Sequence, residues 1–113
     1  MAERLSIRDV RFYMRNVRTR MPFRYGATSL VSVPILHVGV TAELGDSTPA
    51  RGWAADILPP KWFDKAPEKN FEKNIDDLVA MARSAAVAFA EVSVRPRSLF
   101  NIWLDAGEAI QAA

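Results

Sequence analysis

Few residues in this chain have the type and spacing that enzyme chemistry requires. The one histidine, His37, lies among alternating apolar residues, where we expect a packed or solvated strand residue rather than a general base. The adjacent acids Asp76 and Asp77 would lie about 100° apart around a helix, so they would not converge on one metal ion. The chain has no phosphate-binding glycine loop, GxSxG or HExxH motif. The sequence therefore predicts no catalytic residue and no metal ligand here.

Positive charge is concentrated near the start of the chain. The formal net charge is +2, but residues 1–25 carry a local charge of +5, which leaves −3 on the rest. Seven arginines produce it, namely Arg4, Arg8, Arg11, Arg15, Arg18, Arg20 and Arg24. This uneven distribution of charge is compatible with binding to nucleic acid or to another anionic ligand. Because arginines on the solvated face of a strand are commoner, nucleic acid is the less favoured partner.

The first half of the chain predicts three antiparallel strands. Residues 8–16 alternate, with Val10, Phe12 and Met14 on one face and Asp9, Arg11, Tyr13 and Arg15 on the other. The second strand is expected over residues 35–43, directly after Pro34, because proline tolerates the first position of a strand. A short third strand is expected over residues 51–55. The stretch MPFRYGATSL, residues 21–30, has neither helical nor strand periodicity and is predicted to form a loop before Pro34.

The second half of the chain predicts two helices. Apolar residues recur at steps of three and four from near Glu68 to Phe89. Ser98 is a suitable N-cap for a last helix. Its main apolar stripe is Leu99, Ile102, Trp103, Ala106 and Ile110, and because further apolar residues lie off this stripe, the helix should need two packing partners. The predicted fold is therefore α+β, a three-stranded antiparallel meander followed by helices, in one domain spanning residues 1–113.

Composition restricts the cellular setting. The chain contains no cysteine, which mildly favours an intracellular protein without disulfides. Its first residues lack the apolar run of a signal peptide, and no stretch approaches the roughly 20 apolar residues of a membrane span. We therefore expect a soluble, cytoplasmic protein with no membrane partner.

Four short motifs occur in an informative order. They are Ile7-x-x-Val10-x-Phe12, Pro22-Phe23-Arg24-Tyr25-Gly26, the stretch PILHVGVT at residues 34–41, and Gly52-Trp53. Together they resemble the N-terminal capping domain of the enolase superfamily, in its mandelate racemase and muconate-lactonizing branch. The resemblance runs from about Ile7 to Ala113. That family commonly has a glycine and a glutamate directly after the tryptophan, whereas Ala54, Ala55 and Asp56 follow Trp53 here.

The resemblance implies a lid domain over a (β/α) barrel that is not in this chain. The chain would then be truncated before the barrel and would not be catalytic alone. The parent enzyme would be a racemase, dehydratase or cycloisomerase that abstracts the proton next to the carboxylate of a small substrate. Mg²⁺ is implied for the parent barrel, and no cofactor is implied for this chain.

Two lid segments are implied to close the barrel mouth and to set substrate specificity. The first corresponds to Met21–Val33 and the second to Asp56–Phe63. Five substrate-binding candidates follow from the resemblance: Phe23 and Tyr25 lining the pocket, Arg24 meeting a substrate anion, and Asp56 and Ile57 beginning the second segment. The lid hypothesis also predicts apolar surface left exposed on the last helix and on the two segments.

Two other functions remain open from the residues alone. One is a stand-alone α+β module that binds nucleic acid through the arginine-rich strand face, with Arg11, Arg15, Arg18 and Arg20, although Tyr13 is the one aromatic residue among those arginines. The other is a homodimerising domain that hides its apolar faces against a second copy. A homo-oligomer is also the expected state of the parent enzyme.

Overall fold

The part of the chain that the structure describes folds into a four-stranded antiparallel sheet and two helices. The computed structural model describes residues 3–60 and 68–112. The elements in chain order are β1 (Arg4–Tyr25), β2 (Thr28–Leu44), β3 (Pro49–Ile57), α1 (Phe71–Val92), β4 (Arg97–Ser98) and α2 (Leu99–Ala112). The strand order across the sheet is β3-β2-β1-β4. The predicted α+β fold is confirmed, and the two-residue β4 adds an edge strand that the sequence pattern was too short to indicate.

Strands β1 and β2 form a hairpin much longer than predicted. Residues 21–33 are not a loop, because β1 continues to Tyr25 and β2 begins at Thr28. Only Gly26 and Ala27 separate the two strands. Gly26 has a φ of +55°, and a positive φ at the first central residue is what a type II′ hairpin turn requires. The loop prediction is wrong because cross-strand pairing orders this segment, and single-strand periodicity does not reveal pairing.

An irregularity interrupts the hairpin partway along its length. Arg18 pairs with Ser32 and Phe23 pairs with Leu30, so β1 has four residues where β2 has one. The hydroxyl of Thr19, within this insertion, lies 3.3 Å from the carbonyl oxygen of Leu30 and 3.2 Å from that of Val31. The side chain thus offers a donor to β2 where the backbone ladder is broken.

Pro34 lies inside β2 rather than before it. Its carbonyl oxygen accepts a hydrogen bond from the Leu58 N–H at 3.0 Å, so its backbone polar groups face the β3 side. That position is just beyond Ile57, where β3 ends. The missing proline N–H therefore costs no hydrogen bond to β1, and β2 extends past it. Strand β3 also exceeds the predicted residues 51–55 at both ends.

Side-chain caps fix where the two helices begin. The Asn70 side chain accepts a hydrogen bond from the Lys73 N–H at 2.8 Å, so α1 begins at Phe71 and not near Glu68. The Ser98 hydroxyl oxygen accepts from the Asn101 N–H at 3.3 Å. The predicted N-cap of the last helix is therefore confirmed.

One buried serine joins the end of α1 to the sheet. Ser93 has no exposed surface. Its hydroxyl oxygen accepts a hydrogen bond from the Ile7 N–H at 3.0 Å, and its O–H donates to the Phe89 carbonyl at 2.7 Å. This bond gives an amide of β1 a partner from the helix and fixes α1 against that strand.

The buried core is small for a chain of this length. Its buried apolar side chains within the described ranges are Leu30, Val33, Leu36, Leu58, Ala88, Ile102 and Ala106. The radius of gyration is 16.7 Å, whereas a compact domain of this size would have about 13 Å. The molecule measures 49 × 31 × 21 Å along its principal axes. An elongated shape leaves many large apolar side chains exposed.

Within residues 3–60 and 68–112, no helix is both long and apolar enough to cross a membrane.

Candidate functional site

The two predicted mouth segments meet at the end of the long hairpin. The Tyr25 hydroxyl donates a hydrogen bond to the carbonyl oxygen of Pro60. Leu30 of the first segment and Leu58 and Pro60 of the second are buried. Residues 61–63 of the second segment lie outside the described residues. We call residues 21–33 together with residues 56–60 the hairpin tip.

Phe23 and Tyr25 share one face of the hairpin tip. They pair with Leu30 and Thr28, which are two residues apart in β2 and therefore point the same way. Their ring centroids are 5.8 Å apart and the rings are tilted by 40°. Burial raises the pKa of Tyr25 above its ordinary value, so its hydroxyl stays protonated and can donate to Pro60. Tyr25 is thus anchored, while Phe23 is 55% exposed and available for contact.

The other three candidate residues are placed differently. Arg24 pairs with Ser29, so it lies on the opposite face from Phe23 and Tyr25 and is not brought together with them. Asp56 and Ile57 do not begin a loop, because they are the last residues of β3. The Asp56 carboxylate accepts a hydrogen bond from the Ile57 N–H at 2.8 Å, at the point where the strand ends.

Helix α2 presents a continuous apolar surface. We call Leu99, Phe100, Trp103 and Leu104 the α2 outer face, and these residues are between 43% and 65% exposed. The Phe100 and Trp103 rings lie 5.8 Å apart. The predicted stripe is wrong in part, since Leu99 and Trp103 are in solvent while Ile102 and Ala106 have no exposed surface. Helical periodicity identified apolar positions, but it could not say which side of the helix faces α1.

The sheet carries a second exposed surface, with different chemistry. We call it the arginine face, and it consists of Asp9, Arg11, Tyr13 and Arg15 with their cross-strand partners in β2 and β3. The predicted alternation of β1 is confirmed there by the pairs Phe12–Val38 and Tyr13–His37, which are adjacent in the ladder and so lie on opposite faces.

The Trp53 ring lies on the arginine face, packed over its cross-strand partner Gly39. Gly39 pairs with Arg11 on one side and with Trp53 on the other. A Cβ on Gly39 would lie 2.7 Å from the Trp53 ring, so the absence of a side chain lets the ring lie over the strand. The Trp53 ring centroid is 5.8 Å from that of Tyr13. Sequence analysis missed this pair because it requires the β2–β3 register.

The charges on the arginine face are unevenly paired. Arg11 forms an ion pair with Asp9 at 2.9 Å. This hydrogen bond, with a smaller contribution from Tyr13, raises the pKa of Arg11 above its ordinary value, so the guanidinium is charged. In the part of the chain that the structure describes, Arg15 and Arg51 form no ion pair. Two uncompensated positive charges therefore flank the aromatic pair.

One acidic residue of α1, Asp77, takes part in two ion pairs. Asp77 lies 2.9 Å from Lys69 and 3.3 Å from Lys73. The hydrogen bond from Lys69 is the main reason that the pKa of Asp77 lies below its ordinary value. Among residues 3–60 and 68–112, no group of three or more His, Cys, Asp or Glu could hold a metal ion.

The chain was also compared with known proteins. No family model matches it, and neither does any curated protein or solved structure. Inference about function therefore depends on the residues and the geometry described above.

Proposed function

We propose that this chain is the lid of an enolase-superfamily enzyme, which covers the mouth of a (β/α) barrel and shapes substrate specificity. In this proposal the barrel holds Mg²⁺ and abstracts the proton next to the substrate carboxylate. The chain itself performs no chemical step. The observation that carries the proposal is the Tyr25–Pro60 hydrogen bond, which joins the two mouth segments beside an exposed Phe23.

The geometry of the hairpin tip would allow Phe23 to contact the substrate and help to select it. A side chain that selects a substrate must be held in place by its support before the substrate arrives. Phe23 has that support, since its backbone is paired with Leu30 and its ring packs against the anchored Tyr25. Closure would then be a movement of the hairpin as a unit, rather than the ordering of a mobile loop.

The α2 outer face supports the docking of the chain on a larger body. Contiguous exposed apolar side chains on a helix mark an interaction surface more often than a free one. Phe100 and Trp103 are 65% and 59% exposed, although large aromatic side chains gain most from burial. A barrel seated against this face would remove them from water and would compensate for the small core.

The test measures proton exchange by the complete product of the gene that encodes this chain. The protein is incubated in D₂O with Mg²⁺ and a panel of 2-hydroxy and 2-acylamino carboxylates, and loss of the α-proton signal is followed by NMR. We expect Mg²⁺-dependent exchange by the complete product and none by the 113-residue chain alone. Phe23→Ala should lower kcat/KM at least about ten-fold for the best substrate, because a positioned apolar contact is lost.

The control for that variant is Val94→Ala, which removes a similarly exposed apolar side chain away from the hairpin tip. It should leave kcat/KM unchanged. Exchange by the 113-residue chain alone, or no exchange by the complete product across the panel, would contradict the proposal. Equal effects of the two substitutions would contradict the role of the hairpin tip.

A further inference from the structure

We propose that the arginine face binds single-stranded nucleic acid, with Tyr13 and Trp53 stacking on bases and Arg11, Arg15 and Arg51 contacting phosphates. This function is additional to that of the lid. The residues that carry this proposal, two aromatic rings and three arginines, belong neither to the hairpin tip nor to the α2 outer face, so either proposal can fail without the other. Ile57, which lies in the same cross-strand row as Arg15, belongs to both the arginine face and the hairpin tip.

The first support is the placement of two exposed aromatic rings on an open sheet. Trp53 is 65% exposed and Tyr13 is 50% exposed, with ring centroids 5.8 Å apart. Gly39 lies beneath Trp53, so the indole is held against the sheet instead of extending freely into solvent. Adjacent aromatic side chains on a sheet surface are the platform on which single-stranded nucleic acids stack their bases.

The second support is the position of the arginines around those rings. Residues that pair across β1, β2 and β3 form rows on this face, and Trp53 and Tyr13 lie in neighbouring rows. Arg51 lies in the next row on the Trp53 side, and Arg15 lies in the next row on the Tyr13 side. Arg11 is in the same row as Trp53. Rows on one face are separated by two residues, or about 7 Å. The aromatic pair is therefore flanked by positive charge on both sides along the strands.

The charge balance of these rows favours a polyanion. Three arginines face one acid, Asp9, which is already paired with Arg11. Arg15 and Arg51 form no ion pair within the described residues, so they can meet phosphates without first breaking one. An acidic protein surface could form ion pairs with the arginines but would have no bases to stack on the two rings. A nucleic-acid duplex could also pair its phosphates with the arginines, but its bases are stacked on one another and cannot reach the rings.

The experiment measures fluorescence anisotropy of a labelled oligonucleotide of mixed sequence with the 113-residue chain at several salt concentrations. Three phosphate contacts predict a slope of about −2 for log K against log salt concentration. Arg51→Gln should reduce the size of that slope by about 0.7. Trp53→Ala should weaken binding between about five-fold and a hundred-fold at every salt concentration, because a base loses its stacking partner.

Two matched controls lie on the helices. Arg83→Gln removes an exposed arginine from α1 and Trp103→Ala removes an exposed tryptophan from α2. Both should leave affinity and salt slope unchanged. Thermal melting of each variant checks that the fold is retained, which is expected because Trp53 lies on the edge strand β3.

Three results would overturn the proposal. The first is no binding at low salt. The second is an unchanged affinity for the Trp53→Ala variant, with displacement of the oligonucleotide by polyglutamate at equal charge, which would assign the face to an acidic protein surface. The third is equal affinity for the matching duplex, which would leave only unspecific attraction between charges.

Discussion

Replacing Ile102 with alanine is expected to lower the free energy of unfolding by about 3 kcal/mol. Ile102 has no exposed surface and lies on the buried side of α2, in register with Ala106. The substitution removes several buried methyl and methylene groups and leaves a cavity that the helix pair cannot close fully. Because the core is small, this is a large share of the roughly 5–15 kcal/mol available to a domain.

Urea denaturation monitored by circular dichroism measures the free energy of unfolding. In a separate thermal denaturation, the melting temperature should fall by about 12 °C, given the usual relation for a domain near 100 residues. The control is Leu99→Ala in the same helix, where the leucine is 60% exposed. It should change stability by no more than about 0.5 kcal/mol. A comparable loss in both variants would contradict the division of α2 into a buried side and an outer face.

The second large effect is expected on activity rather than on stability. Phe100→Gln combined with Trp103→Gln should leave the unfolding free energy of the chain within about 1 kcal/mol, because both side chains are mostly in solvent. In the complete gene product the same pair should lower α-proton exchange at least about a hundred-fold. If the lid no longer docks on the barrel, water enters the active site. The lid residues that contact the substrate are then also displaced from it.

A matched pair of aromatic residues provides the control for this variant. Tyr13→Gln combined with Trp53→Gln removes two aromatic side chains of comparable exposure from the arginine face. It should leave α-proton exchange unchanged. The docking role of the α2 outer face is contradicted if the two double variants lower activity equally, or if the α2 pair unfolds the chain.

Local signals account for the parts of the fold that were predicted correctly. Alternation fixed the two faces of β1 around Phe12 and Tyr13, and Ser98 marked the start of the last helix through its hydroxyl acceptor. Both depend on residues within a few positions of each other. A pattern of that kind is sufficient to predict the element and its orientation, and it led to the α+β class.

Long-range pairing accounts for the parts that were missed. Residues on either side of the hairpin turn are strand because β1 and β2 order each other, and Gly26 supplies the positive φ that the turn requires. Pro34 is tolerated within β2 because β3 ends at Ile57, a fact of topology rather than of local sequence. The Tyr25–Pro60 hydrogen bond spans 35 residues. No periodicity in either segment indicates it.

The candidate site shows the same limit. The sequence predicts a loop over Phe23, Arg24 and Tyr25, and therefore no alternation between them. The β1–β2 register places Phe23 and Tyr25 on one face and Arg24 on the other, because successive residues of a strand point to opposite faces. Trp53 could be assigned to the arginine face only with the β2–β3 register, in which it pairs with Gly39.

Whether the α2 outer face is covered can be measured by cysteine labelling, because the 113-residue chain contains no cysteine of its own. Phe100→Cys introduces one thiol on this face, and Val94→Cys introduces one at an exposed position away from it. Reaction of each thiol with a maleimide is followed by mass spectrometry of the labelled peptide. The rates are compared between the 113-residue chain and the complete gene product.

Both thiols should react rapidly in the 113-residue chain, because both positions are exposed there. In the complete product, the thiol at position 100 should react at least about a hundred-fold more slowly, as for a buried site that must open before it reacts, while the thiol at position 94 keeps its rate. Protection that rises with the concentration of the 113-residue chain would assign the face to a second copy instead. Equal, rapid reaction of both thiols in the complete product would contradict the claim that this chain is a docked lid.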